Sequence, residues 1–191
     1  MRLLLLSIAF IFSTVASAQR KTIKLETYKK NETVKQYKQL LITGEGGMQA
    51  KMYLNNLANE LTEKLKEKNI QCHYEYLGDF HKVDTEEAFQ RAKSGQYDAI
   101  LRIVPYVSEE TMQKYVPTQD PLYPGVAINA DPKYVNFLTN DFDLTLQENT
   151  GTVVWQGRLK TNIDPLARNI YKKIGVKIIQ EFTKNLIIPA K

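Results

Sequence analysis

Four groups of residues have side chains suited to chemistry. Cys72 and His73 are an adjacent thiol and imidazole, the pair that cysteine nucleophiles use when the base lies within hydrogen-bond reach. His73 and His81, with Asp79 and Asp84, are nitrogen and oxygen donors of the kind that bind metals. Asp141 and Asp143 are paired carboxylates, the arrangement of general acid–base catalysis. Gly44-Glu45-Gly46-Gly47 is a glycine-rich stretch before an amphipathic segment, where backbone N–H groups at a helix start attract anions.

The elements around each group decide between these readings. Ile70, Cys72, Tyr74 and Tyr76 alternate with Gln71, His73 and Glu75, which predicts a half-buried strand. Neighbouring strand residues point to opposite faces, so Cys72 and His73 form no dyad there. Cys72 is expected in the core as a small hydrophobe. The eight-residue spacing of the two histidines matches no standard ligand pattern, and these loop residues read as surface. Asp141 and Asp143 share one strand face, with Arg158 on the next strand as their neutralising partner. The glycine stretch has neither a following Lys-Ser/Thr nor dinucleotide spacing, and Glu45 would repel phosphate. A tight turn is the expected role, with Gly44, Gly46 and Gly47 as the ligand-binding alternative. No catalytic set, metal or cofactor is expected.

A fifth group is suited to recognition. Residues 105–133 lack periodicity and hold Pro105, Pro117, Pro121, Pro124 and Pro132, five of the seven prolines. They also carry Tyr106, Tyr115 and Tyr123. Long irregular connections in compact domains commonly carry function. Tyrosine supplies amphipathic contact area for a partner. These three tyrosines are the candidate partner-binding residues, together with an exposed sheet edge.

The remaining elements follow from periodicity. Residues 19–37 are polar and Lys-rich, an arm or an edge strand. Gln39 to Thr43 is a buried strand bounded by glycine. Leu54, Leu57, Ala58, Leu61 and Leu65 recur at helical spacing, with Glu60 and Lys64 as a favourable i,i+4 pair. Asp84 with Glu87 three residues later marks a second helix start. Tyr97 to Val104 is apolar on both faces except Asp98 and Arg102, as in a central strand. Phe142, Leu144 and Leu146 alternate with Asp141, Asp143 and Thr145, and after Asn149-Thr150-Gly151 a second run sets Val153 and Trp155 on one face and Val154, Gln156 and Arg158 on the other, which reads as a hairpin. An even loop would set Gln147 opposite Thr152, Leu144 opposite Trp155 and Asp141 opposite Arg158, whereas a three-residue bulged turn would shift the pairing. Asp164 and Pro165 open a last helix whose buried stripe is Ala167, Ile170, Tyr171, Ile174, Ile178 and Phe182. Gly175 in that helix costs about 1 kcal/mol relative to Ala, which predicts close packing against a neighbour. The order strand-helix-strand-helix-strand-hairpin-helix predicts an α/β fold: a single mixed β-sheet with helices packed on it, in one domain over residues 38–191.

The beginning of the chain speaks to its address. Arg2, the apolar run Leu3 to Ala16 and the small residues Ala16-Ser17-Ala18 form a signal peptide pattern over residues 1–18. Cleavage after Ala18 leaves 173 of 191 residues, and loss of Arg2 lowers the net charge from +5 to +4. The single cysteine precludes an intrachain disulfide. Gln19 stands where a lipoprotein would need cysteine. No later segment is apolar enough to span a bilayer. The expected location is the periplasm, with secretion as the alternative. The basic surplus lies on helix faces and the arm, without interleaved aromatics, so nucleic acid is not an expected partner.

Several of these landmarks occur together in one group of proteins: Leu40-Leu41-Ile42, the helix ending before Asn69-Ile70, Gly95-Gln96-Tyr97-Asp98-Ala99-Ile100-Leu101, and Asp143-Leu144-Thr145-Leu146 leading to Thr150-Gly151-Thr152-Val153-Val154-Trp155-Gln156-Gly157. Over residues 38–186 the chain resembles bacterial envelope proteins that include the TolB amino-terminal domain and the lipoprotein activators of penicillin-binding proteins. The resemblance implies an α/β sheet and a non-enzymatic envelope role. The expected function is therefore an exported cell-envelope binding or accessory module, its partner an envelope protein or polymer. The alternative is a small-anion-binding or hydrolytic periplasmic protein using the Gly44–Gly47 turn.

Overall fold

A computed structural model describes residues 23–30, 36–106, 141–161, 168–185 and 187–189. The signal-like segment, Tyr115 and Tyr123, and the helix start at Asp164-Pro165 lie outside the described residues.

The described elements are β1 (Ile23–Lys30), β2 (Gln39–Glu45), α1 (Met48–Lys66), β3 (Gln71–Gly78), α2 (Thr85–Lys93), β4 (Ala99–Pro105), β5 (Asp141–Glu148), β6 (Val153–Thr161) and α3 (Arg168–Lys184). The six strands form one sheet in the order β1-β6-β5-β4-β2-β3. β2 pairs parallel with both β3 and β4, and the other pairs are antiparallel. The α/β fold with a single mixed sheet is thus as the sequence predicts.

Hydrophobic periodicity assigns the helices to faces. Leu54, Leu57, Ala58, Leu61 and Leu65 of α1 meet Ile170, Tyr171, Ile174, Ile178 and Phe182 of α3 over one face of the sheet. That main core also takes Leu40 and Ile42 of β2, Leu101 of β4, Leu144 of β5 and Trp155 of β6. Tyr53 of α1 joins it, stacked on Phe142 with ring centres 4.5 Å apart. The opposite face of β2, β3 and β4 supplies Leu41, Leu77 and Ile100 to a smaller core with Ala88, Phe89 and Ala92 of α2. Two crossover connections, one helix per face, explain why β2 and β4 read as continuously apolar.

Several local devices act as their residues predict. Asn69 closes α1 in a left-handed conformation, φ 60°, which asparagine tolerates. Asp84 caps α2 by accepting from the Glu87 N–H at 2.9 Å. Gly175 lies against α1, where an added Cβ would come 2.8 Å from Glu60 Cγ. Close packing of α3 on α1 therefore accounts for the glycine.

The hairpin departs from the even-loop pairing. Asp143, not Asp141, faces Arg158, while Asp141 faces Lys160, Leu144 faces Gly157 and Leu146 faces Trp155. The cause is two successive one-residue shifts, the first of them at the turn. Gly151 adopts φ 91° and donates to the Glu148 carbonyl at 2.8 Å, while Glu148 donates to Thr152 at 2.9 Å. That is a three-residue loop with a glycine bulge. A bulge at Leu146/Gln147 supplies the second shift and makes Val154 and Trp155 both buried, where strict alternation would separate them.

Candidate functional site

The two halves of the α2 side of the sheet differ. α2 covers β3, β2 and β4, and among the described residues no helix covers the same face of β5, β6 and β1. Registers across this open half place Val104, Asp143, Arg158 and Glu26 in one cross-strand row over β4, β5, β6 and β1. The next row holds Asp141, Lys160 and Lys24. The face is polar because it is uncovered, and alternation sends Phe142, Leu144 and Leu159 to the core beneath it.

Arg158 is the centre of the open half. Its Nε donates to Asp143 Oδ1 at 2.7 Å and its Nη2 to Oδ2 at 3.1 Å, a bidentate pair. The guanidinium carbon lies 3.3 Å from the ring centre of Tyr106 and 5.6 Å from that of Tyr28, within cation–π range. The Asp143 hydrogen bonds hold Arg158 firmly protonated. Desolvation raises the Tyr28 hydroxyl above its ordinary value, although its side chain remains exposed. Glu26 bridges Lys24 at 2.6 Å and Lys160 at 3.1 Å. Hydrogen bonds from Lys24 and Lys160 lower its pKa to about 2. Tyr106 is anchored where β4 ends, its N–H donating to the Asp141 carbonyl at 2.8 Å. The result is a charged, aromatic surface whose side chains are already oriented by neighbours.

The glycine turn lies at the carboxyl end of β2, a topological switch point with α1 and α2 on opposite faces. Its polar groups serve its own closure. The Gly46 N–H donates to Gly78, and the Gly46 carbonyl accepts from the Tyr76 hydroxyl. Gly46 has φ 130°, and an added Cβ would lie 2.8 Å from both Ala50 and Pro105, so both conformation and space require glycine. Gly44 faces Leu54, and Gly47 precedes the first turn of α1 without a side-chain cap, near the Asp79 carboxylate. Glu45 is buried and receives Arg102 Nη2 at 3.1 Å. Nη1 of the same arginine binds Glu86 of α2 at 2.8 Å, and its guanidinium lies over Phe89. Burial opposes the charge of Arg102, but Glu86 and Glu45 outweigh it and hold the arginine protonated. This Glu45–Arg102–Glu86 group was missed as a unit. Its signal was the lone arginine in an otherwise apolar central strand, which calls for a buried carboxylate beside it.

The other chemistry-bearing residues are dispersed. Cys72 packs against the main core, and burial raises its thiol pKa to about 12. His73 emerges on the other face, loosely stacked on Tyr97. His81 lies beside Phe80 in the loop before α2, its N–H donating to Asp79, while Asp84 is engaged as the α2 cap. Among the described residues, no three His, Cys, Asp or Glu side chains are grouped to hold a metal. A hollow of about 480 Å³ lies at the amino ends of β2 and β4, lined by Gln36, Tyr37, Lys38, Asp98 and Glu148. There Asp98 accepts the Lys38 and Gln39 N–H groups at 2.7 and 2.9 Å, fastening the start of β2. Tyr37 donates to Glu148 at 3.2 Å, and burial followed by the Glu148 charge raises its pKa.

No protein-family model matches the chain, and no curated protein matches it. Among solved structures, the chain is similar to the PelC dodecamer of Paraburkholderia phytofirmans at 9% identity and a TM-score of 0.42, over 86% of this chain and 97% of that one. A point variant of the same PelC dodecamer matches at 9% identity and TM-score 0.42, over 83% of this chain and 96% of that one. Among the described residues, no helix is long and apolar enough to cross a membrane.

Proposed function

We propose that this protein is an exported, non-catalytic binding or accessory module of the bacterial cell envelope, working in the periplasm. Its partner is an envelope protein or polymer received on the open half of the sheet. The observation that carries the reading is Arg158, held by Asp143 and flanked by Tyr106 and Tyr28 on a face left uncovered by the described helices. Pre-oriented arginine and tyrosine side chains are the residue types enriched at recognition hot spots. The signal-like first eighteen residues and the resemblance to envelope proteins supply the compartment.

Affinity capture from envelope extracts tests the reading. Tagged wild type is expected to retain a specific species. The Tyr28→Ala/Tyr106→Ala double variant should lose it while keeping the wild-type thermal midpoint. Equal recovery by both proteins would overturn the proposal.

A further inference from the structure

The two edges of the sheet are built differently. β1 carries Lys24, Lys29 and Lys30, and its pairing with β6 is interrupted between Thr27 and Lys29. Lysines and bulges are the devices that keep an edge from accepting another strand. β3, the opposite edge, runs eight residues without lysine or proline. Its pairing with β2 is regular from Gln71 to Tyr76 and breaks only at the last position. Among the described residues, no strand pairs with the outer side of β3. Among the described residues, backbone bonds outside the ladder reach only its ends: Gln71 donates to Lys38, and Gly78 accepts from Gly46.

We propose that β3 pairs antiparallel with β3 of a second copy of this chain, about a two-fold axis at Tyr74, joining two six-stranded sheets into one. A two-fold normal to the sheet brings like faces together, so only residue-centred registers are allowed. Centred on Tyr74, His73 of each copy faces Glu75 of the other, giving two identical acid–imidazole pairs on the α2 side. On the α1 side, Cys72 of each copy faces Tyr76 of the other, extending the apolar layer to which Cys72 and Tyr74 already belong. The neighbouring registers are poorer. An axis at Glu75 opposes two carboxylates directly, which is unfavourable. An axis at His73 opposes two imidazoles and leaves each Glu75 facing Gln71. Self-complementarity in one register singles out a second copy as the occupant.

Sedimentation equilibrium of the purified protein tests the pairing. Wild type is expected to be a dimer that dissociates on dilution. His73→Glu places four carboxylates across the axis and should raise the dissociation constant by about tenfold or more. His73→Lys restores opposite charges and should bind as tightly as wild type or tighter. The exchange His73→Glu with Glu75→Lys should also restore the dimer, which separates a lost charge pair from a damaged fold. His73 is exposed and Glu75 half-buried at the same sheet edge, so circular dichroism of each variant is expected to match wild type and checks that the fold is kept. A wild type that stays monomeric at every concentration overturns the proposal. So does a His73→Glu variant that dimerises like wild type, or a double exchange that stays monomeric.

Discussion

Arg158 on β6 grips both carboxylate oxygens of Asp143 on β5, at 2.7 and 3.1 Å, and presents its flat face to Tyr106. The pair lies on the sheet face opposite α1 and α3, so it orders the surface rather than the core. Its contribution to folding is correspondingly small, because the Asp143 side chain is 42% exposed and solvent screens the attraction. Arg158→Lys keeps the charge but loses the fork and the stacking plane. Urea denaturation should show a loss below about 1 kcal/mol. Capture of the envelope partner should weaken far more than this.

Two glycines separate rigid from adaptable packing. At Gly157 an added Cβ would lie 2.7 Å from the Trp155 ring and 2.8 Å from the Glu26 carbonyl. Neither can yield without moving a buried indole or the β1–β6 pairing. At Gly175 the nearest atom is Glu60 Cγ, on a side chain that can rotate. Gly157→Ala should cost about 2–3 kcal/mol. Gly175→Ala should cost less, because about 1 kcal/mol of helix propensity offsets the crowding. Matched denaturation curves would check the ranking, and equal losses would contradict it.

Acid should loosen β1 from the sheet. Lys24 and Lys160 lower the Glu26 pKa from 4.5 to about 2. A carboxyl with a depressed folded pKa stabilises the fold above its ordinary value. That contribution disappears as the pH falls from 4.5 towards 2. Glu26→Gln removes it at every pH. The difference in thermal midpoint between wild type and variant should therefore shrink across that window.

Cys72 should be chemically quiet while the chain is folded. Burial raises its thiol to about 12, so the reactive thiolate is scarce at neutral pH. A chromogenic disulfide reagent should label it much more slowly in the folded protein than in denaturant. Labelling of the native protein as fast as in denaturant would contradict its place against the core.

The elements themselves were legible because periodicity reports burial directly. The α1 stripe from Leu54 to Leu65, the Asp84 cap and the tight helix contact at Gly175 each follow from one residue pattern and one packing rule. The hairpin register was less legible. Asn149-Thr150-Gly151 permits more than one loop; the bulged form with Gly151 at positive φ shifts the register by one residue, and a second bulge at Leu146/Gln147, which no local pattern marks, shifts it by another and so moves Arg158 from Asp141 to Asp143. Glu45–Arg102–Glu86 was hidden for another reason. It joins three elements far apart in sequence, through the parallel β2–β4 register and the docking of α2. Tyr106 was visible as a candidate, but Tyr28 was not. Its role depends on β1 lying beside β6, a long-range pairing that local pattern does not encode.

Site-specific photocrosslinking in living cells tests the central claim most directly. A photoreactive residue replaces Tyr28 on the open half-sheet, or His81 in the loop before α2. The account predicts one discrete crosslinked species from position 28, absent from position 81 and lost when Tyr106→Ala is added. Crosslinking of the same species from position 81 but not from position 28 would contradict it.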